Sequence, residues 1–423
     1  VDPVAEAIAD AHRGEWAAVL AATVRVTRDL DLAEECAQDA YLRALVVWRR
    51  DGIPRRPGAW LTTVARNRAT DLLRRETVLR RALPLLVLDD AGGAEPEPGG
   101  IGDDRLRLIF TCCHPALSRA AQVALTLRLL CGLSTAEVAR AFLVPEPTMA
   151  ARITRAKKKI AVARIPYRVP SAAELPERVG AVLEVVHLVY TTGHAAPVGE
   201  RLVRTELTGG AIGLARMVHA LLPGAAEVAG LLALLLLSEA RRDTRVTPEG
   251  RLVLLAEQDR SRWDAALIAE GSALVVRALT NRPPTRYAVQ AAITAVHAEA
   301  PDWASTDWPE ICGLYDVLLA LWPNPVVALN RAVALGMRDG PEAGLAALEP
   351  LLAEPALATY GYLSAARAEL LHRVGRWEEA LWSYQEALTL IGNAVERDFL
   401  ERKLIEVRAA RDDPNPPGRR AGS

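Results

Sequence analysis

Between Thr148 and Arg164 the chain carries six cationic side chains, Arg152, Arg155, Lys157, Lys158, Lys159 and Arg164, and no acid. At helical spacing Met149, Ile153, Ala156, Ile160 and Ala163 form one apolar stripe. Thr148, Arg152, Arg155 and Lys159 fall on the other side, joined by Lys157 and Lys158. A guanidinium on such a face can pair bidentately with guanine in the major groove, and an ammonium can neutralise phosphate. A second basic group comprises Arg66, Asn67, Arg68, Asp71, Arg74 and Arg75. Asn67, Asp71 and Arg74 share a helix face, expected to lie opposite Trp60, Leu61, Val64 and Leu72. Arg and Asn bind phosphates and read bases, and an aromatic ring can stack on a splayed base. Trp48 and Trp60 serve equally well as core residues.

Other reactive groups lead nowhere comparable. Cys112-Cys113-His114 has the ligand types of a zinc site. Adjacent helical residues diverge by about 100°, however, and no second ligand pair lies nearby. Buried thiols near a helix end are the expectation, with no metal. His187, His194, His219 and His297 have no carboxylate or nucleophile at informative spacing, and Gly92-Gly93 and Gly209-Gly210 lack the rest of a phosphate loop. No enzyme activity and no cofactor are expected.

The elements that must position the basic groups are helices. Ser134-Thr135-Ala136-Glu137 is a capping box, and the short helix it starts must stop near Val144, before Pro145 and Pro147. The basic helix then begins around Thr148, which gives a helix-turn-helix. Earlier, Leu32, Cys36, Ala40, Tyr41, Ala44, Leu45 and Trp48 recur three and four apart, up to a break at Asp51-Gly52-Ile53-Pro54. No stretch sustains strand alternation, so the expected fold class is all-α.

The organisation expected is a helical domain over 1–83, an acidic Gly/Pro-rich linker over 84–104, and a second small helical domain over 105–166. After a hinge near Ile165-Pro166-Tyr167-Arg168-Val169-Pro170, a larger helical domain covers 171–410. Toward its end Ala368, Leu371, Gly375, Ala380, Tyr384 and Ala387 sit at the offsets of a tetratricopeptide-type hairpin. Ala332, Leu335, Gly344, Leu348 and Leu351, with the turn Asp339-Gly340-Pro341, give a degenerate earlier copy.

Composition agrees with this division. The 423 residues are half apolar and only 5% aromatic, with a net charge of −1. Residues 1–166 carry 25 Lys and Arg against 20 Asp and Glu, whereas the remainder carries 26 against 32. A basic front half suits a polyanion, and the acidic back half suits a different partner. Five unevenly spaced cysteines exclude a disulfide scaffold. The ten-residue apolar run Val228 to Leu237 fits a buried helix and is too short for a membrane span. No charged-then-apolar leader opens the sequence, so a cytoplasmic protein is expected, and Val1 read as a GUG start points to a bacterial source.

Two long segments carry a family resemblance. Asp31-Leu32-Ala33-Glu34-Glu35-Cys36-Ala37-Gln38-Asp39-Ala40-Tyr41, followed by the run from Ala59-Trp60-Leu61 through Ala65-Arg66-Asn67-Arg68 to Asp71-Leu72-Leu73-Arg74-Arg75, resembles domain 2 of the extracytoplasmic-function (ECF) sigma factors. Residues 117–161 resemble domain 4 of the same family. Leu108-Ile109-Phe110-Thr111-Cys112-Cys113-His114-Pro115 and Gln258-Asp259-Arg260-Ser261-Arg262-Trp263-Asp264 are similar to phrases of a subgroup with a tetratricopeptide-like C-terminal extension. Asp39 and Tyr41 stand where Glu and Phe are usual, and Thr192, Gly210 and Gly213 also depart from the subgroup.

The resemblance implies a sigma factor that joins RNA polymerase core and promoter DNA. The docking helix would present Leu32, Glu35, Gln38, Asp39 and Tyr41 to the polymerase. Trp60, Arg66, Asn67, Asp71, Arg74 and Arg75 would serve the minus-10 element, melting it by capturing single-stranded bases. Thr148, Arg152, Thr154, Arg155, Lys157, Lys158 and Lys159 would serve the minus-35 element. The C-terminal domain would control activity, either by inhibiting or by being required, and could grip a protein or peptide. Two other readings are a DNA-binding regulator with a helical sensor that does not join polymerase, and a helical adaptor with solvated basic faces. A docking helix separates the first from a sigma factor, and a steep salt dependence of DNA binding separates the second.

Overall fold

The computed structural model describes residues 2–82, 104–142, 144–280 and 283–412. Among them are eighteen α-helices and a single pair of two-residue strands, so the all-α expectation holds. The expected linker at 84–104 lies, except for Asp104, outside the described residues. The chain divides into two compact units, residues 1–186 and 187–423.

The first unit opens with α1 (Pro3–Thr27), α2 (Leu30–Asp51) and α3 (Pro57–Ala82), which pack on one another as a bundle. Asp2 caps α1 through the Val4 amide at 3.0 Å, and Asp29 caps α2 through the amides of Asp31 and Leu32. Both fill orphan donors of a first turn. Gly52, at φ +87°, ends α2 in a conformation open to glycine at little cost. The bundle interior is mostly aliphatic, with Leu20, Cys36, Ala40, Ala44, Leu61 and Ala65 around the two large rings Trp16 and Trp48.

The same unit continues with α4 (Asp104–Cys112), α5 (Arg119–Leu125), α6 (Thr135–Ala141), α7 (Glu146–Val162) and the start of α8 (Leu175–His194). Between α5 and α6 the chain widens into a π-helical turn over Thr126–Leu130. The hinge expected at 165–170 is fastened down in part. Ile165 is buried, and the Tyr167 hydroxyl donates to the carbonyls of Ala21, at 2.8 Å, and Asp104, at 3.2 Å.

The second unit runs through α9 (Thr205–Leu221), α10 (Ala226–Glu239), α11 (Ala265–Leu279), α12 (Arg286–Glu299) and α13 (Trp308–Leu321). It ends with α14 (Pro325–Arg338), α15 (Pro341–Leu348), α16 (Gly361–Arg373), α17 (Trp377–Leu390) and α18 (Ala394–Asp412). Apolar almost all round, α10 is the buried helix expected of Val228–Leu237, packed by α9, α11 and α12. Among the described residues no helix is long and apolar enough to cross a membrane. The helices α14–α15 and α16–α17 pair as hairpins, the first turning at Gly340 with φ +99°. Val198–Gly199 pairs in parallel with Gly392–Asn393. The fully buried Asn393 amide donates to the carbonyls of Ala196 and Arg201, which ties the first loop of the unit to its last helix.

Close helix contact rests on missing side chains. A Cβ on Gly230 of α10 would fall 2.6 Å from the Ala288 amide nitrogen of α12, and backbone cannot swing aside. Gly230→Val should therefore lower stability in urea unfolding by about 1–3 kcal/mol. Gly213→Ala, on an exposed turn of α9 with nothing within 4 Å, should raise it by about 0.5–1 kcal/mol.

Candidate nucleic-acid interface

The helix-turn-helix is built locally. Ser134 accepts from the Glu137 amide at 3.2 Å while Glu137 accepts from the Ser134 amide at 2.7 Å, so the capping box is formed. The first helix stops at Ala141 and the second starts at Glu146, two residues ahead of the expected Thr148, because Pro145 and Pro147 suit a first turn whose amides need no partner. Met149, Ile153, Ala156 and Ile160 are buried as a stripe. Ala163 is exposed, since the helix has ended at Val162.

On the outer face Thr148, Thr154, Arg155, Lys158 and Lys159 are exposed and Arg152 is half-buried. Among the described residues no acid pairs with Arg152, Arg155, Lys158 or Lys159, so the face is free to meet phosphate. Lys157 differs. Its ammonium lies 2.6 Å from Asp31 Oδ1 and 2.8 Å from Glu34 Oε2, and its side chain is only 10% exposed. In this arrangement Lys157 contacts protein at the start of α2, not solvent.

The α3 residues separate in a similar way. Arg66, Asn67, Asp71, Arg74 and Arg75 are exposed, with Arg66 and Arg75 on opposite flanks; Trp60 and Val64, seven residues before Asn67 and Asp71, lie on their side of the helix and not opposite them. Arg68 turns to Asp39 at 3.0 Å. Trp60 is half-buried, edge-on to the fully buried Trp48 with ring centroids 5.6 Å apart, which leaves part of its face at the surface.

Along α2, Glu35 and Gln38 point outward, Leu32 is half-buried, and Asp39 is engaged by Arg68. Tyr41, expected both on the apolar stripe of α2 and in the polymerase-binding set, follows the stripe. It is buried against Trp16 and His12, its hydroxyl donating to the Ala11 carbonyl at 3.2 Å, because a phenol needs a partner once it enters a bundle. Burial pushes its phenol well above the ordinary range. Sequence reasoning missed two exposed apolar residues one and two turns beyond Gln38, Leu42 at 62% and Val46 at 68%. Beside them a groove of about 310 Å³ is lined by Ile8, His12, Trp16, Gln38, Tyr41, Leu42, Leu45 and Arg128. The helical periodicity that named Tyr41 also passes beside Leu42 and Val46, but it cannot show which large residues stay outside.

Cys112 and Cys113 are buried, with the Cys113 sulfur 3.6 Å from the Thr126 hydroxyl. Burial raises the Cys113 thiol to about 11 and the Cys131 thiol to about 12, so both are protonated at neutral pH. Among the described residues no three His, Cys, Asp or Glu side chains gather as a metal site would require. His187 and His297 are held down to about 4, first by burial and then by nearby arginines, and are neutral at pH 7.

The free α7 face sets a measurable expectation. Arg155→Ala should cost about 1–3 kcal/mol on a cognate duplex and relax specificity there, while Lys158→Ala weakens every duplex alike and lowers the salt slope by about one. Fluorescence anisotropy on cognate and random duplexes across a salt series distinguishes them. Equal losses on both duplexes for both variants would remove Arg155 from base reading.

Comparison with known proteins places this geometry. Residues 17–78 match the family described as Sigma-70 region 2, and residues 107–160 match Sigma-70, region 4. Residues 178–279 match a family of unknown function, DUF6596. An uncharacterized protein of Rhizobium meliloti (strain 1021) is 42% identical over 396 residues, covering 92% of this chain and 93% of its own length. No solved structure matches the chain. The chain thus belongs to one family with that relative, and its sigma-70 regions 2 and 4, in order on a bundle and a helix-turn-helix ahead of a third helical part, support a sigma-70-type factor.

Proposed function

We propose that the chain is an ECF-type sigma factor that joins RNA polymerase core and directs it to promoters. The observation that carries this reading is the pairing of two basic faces of separate helices with an acidic and apolar face on α2. Glu35, Gln38, Leu42 and Val46 offer polymerase a continuous strip, with Leu32 at its edge. The exposed α3 residues Arg66, Asn67, Asp71, Arg74 and Arg75, with Trp60, take single-stranded minus-10 bases. Thr148, Arg152, Thr154, Arg155, Lys158 and Lys159 take the minus-35 duplex. Neither step needs a cofactor or nucleotide hydrolysis by this chain.

The C-terminal helical unit controls activity in this reading and is required for it. Its hairpins α14–α15 and α16–α17 support the tetratricopeptide-like assignment, and stacked hairpins suit the capture of a protein or peptide. An exposed Trp382, 73% accessible on α17, is a natural anchor for such a partner.

Two experiments test the reading. Glu35→Lys should abolish co-purification with core polymerase while circular dichroism stays unchanged. Asp39 is left alone because its carboxylate holds Arg68. Undiminished core binding by that variant would count against the docking surface. Removal of everything after Val186 should abolish run-off transcription. The cut is placed there because α8 up to Glu184 belongs to the first unit, with Arg119 paired to Glu184 and Arg178 donating to the Phe110 carbonyl. Transcription retained or raised by the truncated chain would overturn the required role.

A further inference from the structure

We infer that the second unit holds a binding site for a small monocarboxylate, with Arg241 and Arg245 as its cationic end and a cavity beside α10, α12 and α14 receiving its uncharged body. The site stands independently of the sigma-factor reading and gives the C-terminal unit a chemical input of its own.

The chain leaves α10 through three arginines that are answered unequally. Arg242 donates to Glu239 at 2.6 Å and to Asp243 at 3.0 Å. Arg245, 9% exposed, donates to the His194 carbonyl at the end of α8. Among the described residues no hydrogen bond or ion pair reaches Arg241. It is half-buried, and enclosure by protein is the main influence on its guanidinium, opposing the charge. A guanidinium so placed is stabilised by an anion and is unfavourable without one.

Its surroundings supply none. The rings of Tyr190 and His194 stack with centroids 5.3 Å apart, and the Tyr190 hydroxyl lies 3.3 Å from both His194 Nδ1 and Glu239. Burial, and after it Arg245 and Arg241, keeps the His194 ring neutral. Glu239 is taken up by Tyr190, Thr208 and Arg242. Glu396, the other carboxylate that acts on Arg245, accepts from Tyr362 at 2.8 Å. Asp243 is 71% exposed and left to solvent. Three guanidiniums thus face two enclosed carboxylates, and one further negative charge balances the group. That count favours a carboxylate, which a guanidinium grips through two parallel hydrogen bonds, over a dianionic phosphate.

Helix geometry places the body of the ligand. His187 on α8, Leu234 on α10 and Gln290 on α12 line a cavity of about 200 Å³, together with Tyr315 and Asn330. Gln290 Oε1 is buried without a hydrogen-bond partner. The lining is uncharged at neutral pH: burial, and after it Arg286, holds His187 down to about 4, and burial pushes the Tyr315 phenol up to about 12. Seven residues further along the chain from each of the three helical positions, about 10 Å at helical rise, stand His194, Arg241 and His297. Arg241 acts on both of these histidines, so the three helix ends converge as the three cavity residues do. The result is a hydrogen-bonding, partly apolar chamber with a guanidinium two turns away.

The test uses the full chain and 6-acetamidohexanoate, which joins a carboxylate to an acetamide, with the uncharged 6-acetamidohexanamide as control. In calorimetric unfolding the acid should raise Tm by about 2–4 °C and the amide should leave it unchanged. Arg241→Met should abolish that response and raise the ligand-free Tm by about 2 °C, because an apolar chain replaces a charge that nothing answers. A lower ligand-free Tm, or failure to fold, would give Arg241 a structural role and overturn the site. No shift from the acid in the parent overturns it as well. Equal shifts from chloride or inorganic phosphate at matched ionic strength would reduce it to an unselective anion contact and overturn the carboxylate assignment. Gln290→Leu should weaken the acid about tenfold in titration calorimetry, and an unchanged affinity would remove the cavity from the site.

Discussion

A carboxylate enclosed by protein must be answered by cations, and Glu34 imposes that demand on the first unit. Its neighbours in α2 supply none; the cations come from Arg128 and Lys157, the latter 2.8 Å away. Taking three charged groups out of water costs several kcal/mol, and an apolar cluster of equal volume would hold the two regions at least as firmly. What the charges add is selectivity, since a slip of one helical turn would strand Glu34 without a partner. The apolar seam around Gly132, Trp16 and Tyr167 gives the area, and the ions give the register.

Local signals were legible and distant ones were not. The capping box at Ser134 and Glu137, the prolines at 145 and 147 and the apolar stripe from Met149 to Ile160 are each determined within a few residues, and each appears in the structure. The start of α7 shifted by two residues because proline favours the first turn, a rule that acts at the very place where periodicity is silent. Ala163 shows the opposite limit, since a periodic pattern continues past a helix end. Tyr41 follows the apolar stripe, its ring filling the gap between α1 and α2, so its place in a family motif does not bring it to the surface. Glu34 stands directly beside the outward Glu35. Nothing local distinguishes it, since both of its cations lie more than ninety residues downstream.

The composition explains how so many helices pack with so few large side chains. Only 5% of residues are aromatic, and alanine and glycine recur on the facing sides of helices, so backbones approach closely in place of interlocking rings. Gly230 against Ala288 and Gly344 against Gly336 are two such crossings. Tight crossings leave little room for polar groups, so those that are buried work in networks. Glu239, nearly enclosed, accepts from Tyr190, Thr208 and Arg242, which answers its charge from three helical segments at once. Asn393 closes the unit in the same manner without any charge.

Helix geometry lets α7 meet Glu34 without giving up its reading face. Successive residues turn by about 100°, so Arg152, Arg155 and Lys159, at spacings of three and four, stay on one side. Lys157 is about 200° from Arg155 and points across the helix, toward α2. The cations that meet bases and the cation that meets Glu34 are thus separated by rotation about one axis. A sequence that merely needed positive charge on this helix could have placed it anywhere on the outer arc. Placing one lysine on the inner flank, opposite the buried Glu34, gives the same helix a reading side and a packing side.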